Sequence, residues 1–289
     1  MKVLLAGFGY VARRLAPRLT TAGTEWSAHA LRARDRVQSL DLDAPVARGS
    51  IDVAGTTIVY SIAPQPAGDE DLRIGRWLDA LAGRPRRLIY LGTTGVYGRG
   101  GPAAANEDTP TAASHARARR RVSAERQLKF WCGTHGVERV ILRLPAIYGP
   151  DRLPLERLRR GDPVLDPALA PPSHRIHVDD LVTAIERSMA ADVPAGIYLL
   201  RDDSDWPLGE WFSRVAALAG LPAPERVDLA EAERRLSPGM LEFMREGRAL
   251  DDRHSRRRLG LELRYPNPEQ GVRASLAEMA AAREAAAQG

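Results

Sequence analysis

Cysteine is all but missing: Cys132 stands alone in 289 residues. One thiol cannot close an internal disulfide, and it rules out metal sites built on paired thiolates. Lysine is nearly as scarce, occurring only at Lys2 and Lys129. Any chemistry that needs a lysine ammonium therefore has two positions to draw on. No apolar run approaches the roughly 18 residues a membrane helix needs. Lys2 and the apolar residues after it imitate the start of a secretion signal, but Arg13 and Arg14 interrupt the run and no small-residue cleavage site follows. These absences point to a reducing, cytoplasmic setting with no membrane partner.

Arginine is plentiful. Of the 42 basic residues two are lysines, which leaves 40 arginines against 37 acids and a net charge of +5. Spread over this length, that excess does not mark a nucleic-acid binder, and the densest run, Arg117 to Arg121, reads as the solvated face of a helix. No nucleic-acid partner is expected. With 44% hydrophobic and 27% charged residues the chain has enough apolar material for a folded core.

Short apolar runs alternate with helical patterns. Val3 to Ala6, residues 25–31, Thr57 to Ile62, Arg87 to Leu91, Arg139 to Leu144 and Gly196 to Leu200 read as strands. Residues 10–22, Asp69 to Leu81, 114–133 and the segment up to Met189 read as helices, the last with Asp179 as its N-cap. Strands alternating with helices of this length imply an α/β fold: a Rossmann-type, doubly wound parallel sheet. Residues 150–173 read as loops, and from Trp206 onward the pattern is helical, broken at Pro222, Pro224, Pro238 and Pro266. The expected organisation is a nucleotide-binding domain over 1–150, completed by about 175–200. A small, mostly helical C-terminal lobe would come from 151–174 and 201–289.

Gly7-Phe8-Gly9-Tyr10-Val11-Ala12 lies between the first strand and the first helix and reads G-x-G-x-x-A. Gly7 permits a tight turn, Gly9 lets the backbone approach a diphosphate, and the small Ala12 lets helix and sheet pack closely. The diphosphate would rest on unpaired N–H groups at the positive end of the helix. An NAD-binding turn usually has an acid about 20 residues on for the ribose hydroxyls. Here the second strand ends in Arg32 and Arg34, with no acid until Asp35. Guanidinium groups suit a ribose 2′-phosphate, so NADP(H) is favoured over NAD(H). The alternative is that one of 40 arginines fell there by chance.

Three further segments carry a resemblance. Thr93-Thr94-Gly95-Val96-Tyr97-Gly98 is similar to a Ser-Ser-x-x-Val-Tyr-Gly motif, Arg143 to Pro150 to Arg-x-x-x-Ile-Tyr-Gly-Pro, and Arg175 to Asp180 to a His-Val-Asp-Asp helix start. Together they resemble the extended short-chain dehydrogenase/reductases, the NAD(P)-dependent epimerase/dehydratase superfamily, and in particular its atypical YeeZ-like branch. The resemblance implies a cofactor site that adds Ile62, Ala63, Thr93 and Pro145 to the glycine turn. It also implies a substrate side formed by Thr94, Tyr148, Arg152 and Arg175, and pairing of two copies through long helices that would include 114–133.

The departures matter as much. The family carries G-x-x-G-x-x-G in its first turn and Tyr-x-x-x-Lys at the head of the long helix. Ala124-Glu125 sets the register, and the Tyr and Lys positions fall on Arg117 and Arg121. An arginine does not exchange protons near neutral pH, so Arg117 is left with anion binding or stabilisation of a developing oxyanion. Thr93 keeps the hydroxyl of the family serine. Tyr97, Tyr148 and His115 are the alternative proton carriers, and His177 reads as a structural anchor. Two functions remain open: an NAD(P)-dependent oxidoreductase or epimerase-like protein acting on a carbonyl or sugar-like small molecule, with Thr93, Tyr97 and Arg117 as its catalytic candidates, or a catalytically inactive NADP(H)-binding sensor. No metal is expected.

Overall fold

The computed structural model describes residues 1–100, 103–245 and 247–288. Seven strands form the central sheet: β1 (Lys2–Ala6), β2 (Glu25–Ala30), β3 (Val37–Ser39), β4 (Thr57–Tyr60), β5 (Arg87–Leu91), β6 (Glu138–Arg143) and β7 (Gly196–Leu199). All pair in parallel, in the spatial order β7-β6-β5-β4-β1-β2-β3. The order reverses direction between β1 and β4, which opens a crevice at the carboxyl ends of those strands.

Alternate residues of the strands supply two cores. Leu5, Val59 and Ile89 face one side and pack with Leu15 and Leu19 of α1 (Tyr10–Thr21). Leu4, Ile58, Leu88 and Tyr90 face the other, against Ile74 and Trp77 of α2 (Leu72–Asp79) and Ala124 and Leu128 of α3 (Ala116–His135). Strands covered on both faces need apolar residues at successive positions, which is why they appear as unbroken runs.

The remaining helices are α4 (Leu155–Arg159), α5 (Val178–Ser188), α6 (Leu208–Leu218), α7 (Leu229–Arg235), α8 (Pro238–Arg245), α9 (Arg253–Leu259) and α10 (Pro268–Gln288). Leu181 and Ile185 of α5 join the core that holds α1. A third core gathers Tyr148, Leu155, Leu165, Trp211, Phe212, Val227, Met244 and Val272, so the C-terminal residues have an apolar centre of their own. Among the described residues no helix is long and apolar enough to cross a membrane.

Four details differ from the sequence reading. The strand expected to reach Ile62 stops at Tyr60, because Ser61 turns to hydrogen-bond the first loop. The three-residue β3, with one buried residue, carried no readable alternation. The segment read as loops holds the short helix α4. Asp179 is not the N-cap of α5: His177 is, its Nδ1 accepting from the Asp179 N–H at 3.1 Å, while Asp179 turns outward to Arg14.

Candidate nucleotide site at the first strand–helix turn

The turn after β1 is held from both neighbouring strands. Gly7 donates its N–H to the His29 carbonyl at 3.1 Å, and the Ser61 hydroxyl donates to the Gly7 carbonyl at 3.1 Å. Gly7 has φ +100°, and a Cβ there would meet Ser61 Oγ at 2.7 Å and Ile62 N at 3.0 Å. Only glycine fits this position without strain. Gly9, the N-cap of α1, is the opposite case: a Cβ on it would meet nothing within 4 Å. Its space is open.

α1 begins with no side-chain cap and no acid in its first turn. The first N–H groups of a helix have no partner within it, so these donors and the positive end of the helix dipole face the crevice. Val11 and Ala12 are buried beneath them. An uncapped helix start over a glycine floor, at the sheet's switch point, fits the diphosphate of a dinucleotide in shape and in charge.

On the β2 side, aromatic rings and guanidinium groups stack in layers. Phe8 lies parallel to Trp26 with centroids 5.7 Å apart, Arg34 sits over Phe8 at 5.7 Å, and Arg36 covers Trp26 at 5.6 Å. Reciprocal backbone hydrogen bonds between Arg34 and Val37, at 2.9 and 3.0 Å, hold this turn. Arg34 is thus fixed beside the glycine loop by a ring and by its own backbone. Arg32 is exposed and touches no ring.

On the other side of the crevice, Thr93 follows β5. Its Oγ accepts from the Gly95 N–H at 3.2 Å, which leaves its own O–H available to a ligand oxygen. Thr94 N–H donates to the Leu144 carbonyl at 2.9 Å and ties this loop to the half-buried Pro145 after β6. Ile62 is half-buried, and the Ala63 carbonyl accepts from Arg73 at 3.0 Å. Thr93, Thr94, Ile62, Ala63 and Pro145 thus share the carboxyl edge with the glycine turn.

α3 begins at a cap supplied by His115, whose Nδ1 accepts from the Ala118 N–H at 3.2 Å. Arg117 is exposed in the first turn. Arg121, one turn on, donates to the Tyr90 hydroxyl at 3.0 Å. Burial pushes the Tyr90 phenol up to about 12, against the opposing pull of Arg121, so it keeps its proton near neutrality. Glu125 and Arg143, both buried, form a paired bridge at 2.7 and 3.1 Å that fixes α3 to β6.

Three further expected site residues are buried. Tyr97 is fully buried, with the Arg143 guanidinium 4.9 Å from its ring centre, and burial raises its pKa. Tyr148 sits between His177 and Trp211, each 5.1 Å away, and Gly271 presses on its hydroxyl with no room for a methyl. Arg175 is 2% exposed and spends its donors on Ser204 Oγ and the Ser173 and Trp206 carbonyls. Tyr148 belongs to the third core, Arg175 stacks on Trp211 of that core, and Tyr97 packs in a separate cluster with Val96, Ala105, Leu199 and Leu250. Arg152 remains open: it is exposed and stacks on the Tyr10 ring at 4.3 Å.

A concavity at the opposite edge of the sheet, lined by Gly55, Arg84, Arg86, Arg87, Gly136 and Glu138, is a poorer candidate. Its guanidinium groups are committed: Arg86 donates to the Met189 carbonyl, and Arg87 to Glu138 and the carbonyls of Ser188, Ala190 and Val193. They bind the end of α5, and parallel sheets of this type bind ligands at the other edge.

Sequence reasoning missed Ser61, the Tyr10–Arg152 stack and the Arg121–Tyr90 bond. A lone serine or tyrosine carries no spacing signal, so nothing in the sequence marked them.

Residues 72–200 match the model of the NAD dependent epimerase/dehydratase family. Over that stretch the chain is similar to the family. The match spans the Thr93 loop, α3, β6, α5 and β7. Among solved structures, a functionally unknown conserved protein from Silicibacter pomeroyi is 28% identical with a TM-score of 0.74, covering 96% of this chain and 98% of its own. MoeE5 in complex with UDP-glucose and NAD is 19% identical with a TM-score of 0.75, covering 96% and 98%. The human epimerase family protein SDR39U1 with NADPH is 15% identical with a TM-score of 0.72, covering 94% and 98%. The last two likenesses concern the fold. A search of curated proteins found no match.

Proposed function

We propose that this protein binds NADP(H) in preference to NAD(H) and acts as an oxidoreductase or epimerase-like protein on a carbonyl or sugar-like small molecule. The uncapped start of α1 above Gly7 and Gly9 carries the reading, because it presents the donors and space that a diphosphate needs. Arg34, pinned on Phe8, supplies a preorganised fork for the 2′-phosphate, and the exposed Arg32 a second cation. Structural relatives solved with NAD or NADPH agree with a nicotinamide cofactor.

The nicotinamide would supply or accept a hydride. Thr93 would donate its hydroxyl hydrogen to the substrate oxygen and orient it. Arg117 and Arg121 replace the Tyr-x-x-x-Lys pair of the family and place positive charge, not a transferable proton, beside that oxygen. Their presence is the mark of the atypical, YeeZ-like branch. Tyr90 and Tyr97 are buried, which makes them poor substitutes for the family tyrosine. That observation favours a second reading, a catalytically inactive NADP(H) sensor. A lone, buried thiol raised to about 11 agrees with a cytoplasmic protein.

Fluorescence titration with NADPH and NADH, followed by turnover assays on aldehydes, ketones and nucleotide-sugars, separates the readings. NADPH should bind more tightly, and Arg34→Ala should remove the difference. Turnover abolished by Thr93→Val establishes the enzyme. Tight binding with no turnover on any of these establishes the sensor, and NADH binding as tight as NADPH refutes the role of Arg34.

A further inference from the structure

Arg152 was expected on the substrate side, yet its surroundings belong to the nucleotide turn. Its guanidinium stacks on Tyr10, the first residue of α1, with 4.3 Å between the guanidinium carbon and the ring centre. We propose that Arg152 is a clamp for the cofactor's diphosphate, closing over the α1 N-terminus from the side opposite Arg34; this rests on the NADP(H) reading above.

The platform is built rather than incidental. The Tyr10 hydroxyl donates to the Pro150 carbonyl at 2.8 Å, locking the ring to the loop that carries Arg152. A Cβ at Gly149 would meet that hydroxyl at 2.6 Å and Val178 at 2.7 Å, so loop and ring approach as closely as glycine allows. Asp151 has φ +63°, a conformation a non-glycine residue adopts at some strain, and strain of this kind collects at functional sites. The Arg152 N–H donates to the Gly149 carbonyl at 3.1 Å and completes the turn.

The guanidinium itself is unspent. Among the described residues none accepts a hydrogen bond from it or pairs with it, whereas Arg14, on the same helix as Tyr10, is held by Asp179 and Glu278. A guanidinium lying on a ring keeps its N–H edge free and is weakly hydrated, which suits paired contacts to phosphate oxygens. The first turn of α1 has no acid to oppose an anion between the open N–H groups and this edge; the carboxylates of Asp151 and Asp179 act on Tyr10 from outside that turn.

The test titrates NADPH, ADP-ribose and adenosine 2′-monophosphate into the full-length wild type, Arg152→Ala, Arg152→Lys and Tyr10→Leu. Arg152→Ala should weaken NADPH and ADP-ribose about tenfold, the size of one charge-assisted contact, and leave the diphosphate-free 2′-monophosphate unchanged. Arg152→Lys should recover only part of the loss, and Tyr10→Leu should fall between, with thermal melting confirming that each variant folds. Unchanged ADP-ribose affinity in Arg152→Ala would overturn the clamp while leaving the NADP(H) reading intact. An equal loss for the 2′-monophosphate would overturn it by moving Arg152 to the other phosphate. A wild type that binds none of the three would overturn both.

Discussion

Two helices start at the carboxyl edge of this sheet and are furnished in opposite ways. α1 begins on a glycine, with no side-chain cap and no acid, so its first donors are left open. α3 is capped by His115, and the positions where the family keeps a phenol and an ammonium hold Arg117 and Arg121. On the reading proposed above, the first helix start holds the nucleotide, and the second offers fixed positive charge in place of a transferable proton. Holding a dinucleotide and protonating its substrate would then rest on different helices.

Four substitutions probe this contrast, in falling order of effect. Glu125→Ala leaves the Arg143 cation buried without its partner and should cost about 3–5 kcal/mol of stability in urea unfolding; a loss below about 1 kcal/mol would show that α3 is not positioned by this bridge. Gly7→Ala should cost about 1–3 kcal/mol, since it combines an unfavourable φ with contact against Ser61. Arg117→Ala should change stability by less than about 0.5 kcal/mol, as expected of an exposed group, and should leave NADPH affinity unaltered. If affinity fell with it, the two helix starts would be coupled and the separation would fail.

The fourth, and the smallest at neutral pH, is a pH dependence. Burial lowers the His174 pKa from 6.5 to about 4. Between those values the unfolded chain binds more protons, so this group's contribution to stability rises with pH and is complete above 6.5. His174→Gln should flatten the stability profile between pH 4 and 6.5. An unchanged slope would show that His174 titrates normally.

The sheet was readable because buried parallel strands are written as local runs such as Arg87 to Leu91, and the glycine turn because its function fixes both spacing and place. Short elements escaped: β3 and α4 are ordered by neighbours that sequence distance hides. Arg175 shows the limit most clearly. It was expected to hold anionic substrate, but it is buried against Trp211 and Ser204, partners at long range in sequence. His177 shows the same limit on a small scale, since Asp179 is as good a cap by residue type and geometry alone chose between them.

The most direct test of the account is NADPH binding, measured by calorimetry beside thermal melting, for the wild type and Gly9→Val. A side chain at Gly9 enters open space, so the variant should melt with the wild type; it fills the approach to the α1 donors, so saturable one-site binding should be lost. A wild type that takes up no NADPH, or a Gly9→Val variant that binds it equally well, would contradict the claim that this turn holds the nucleotide.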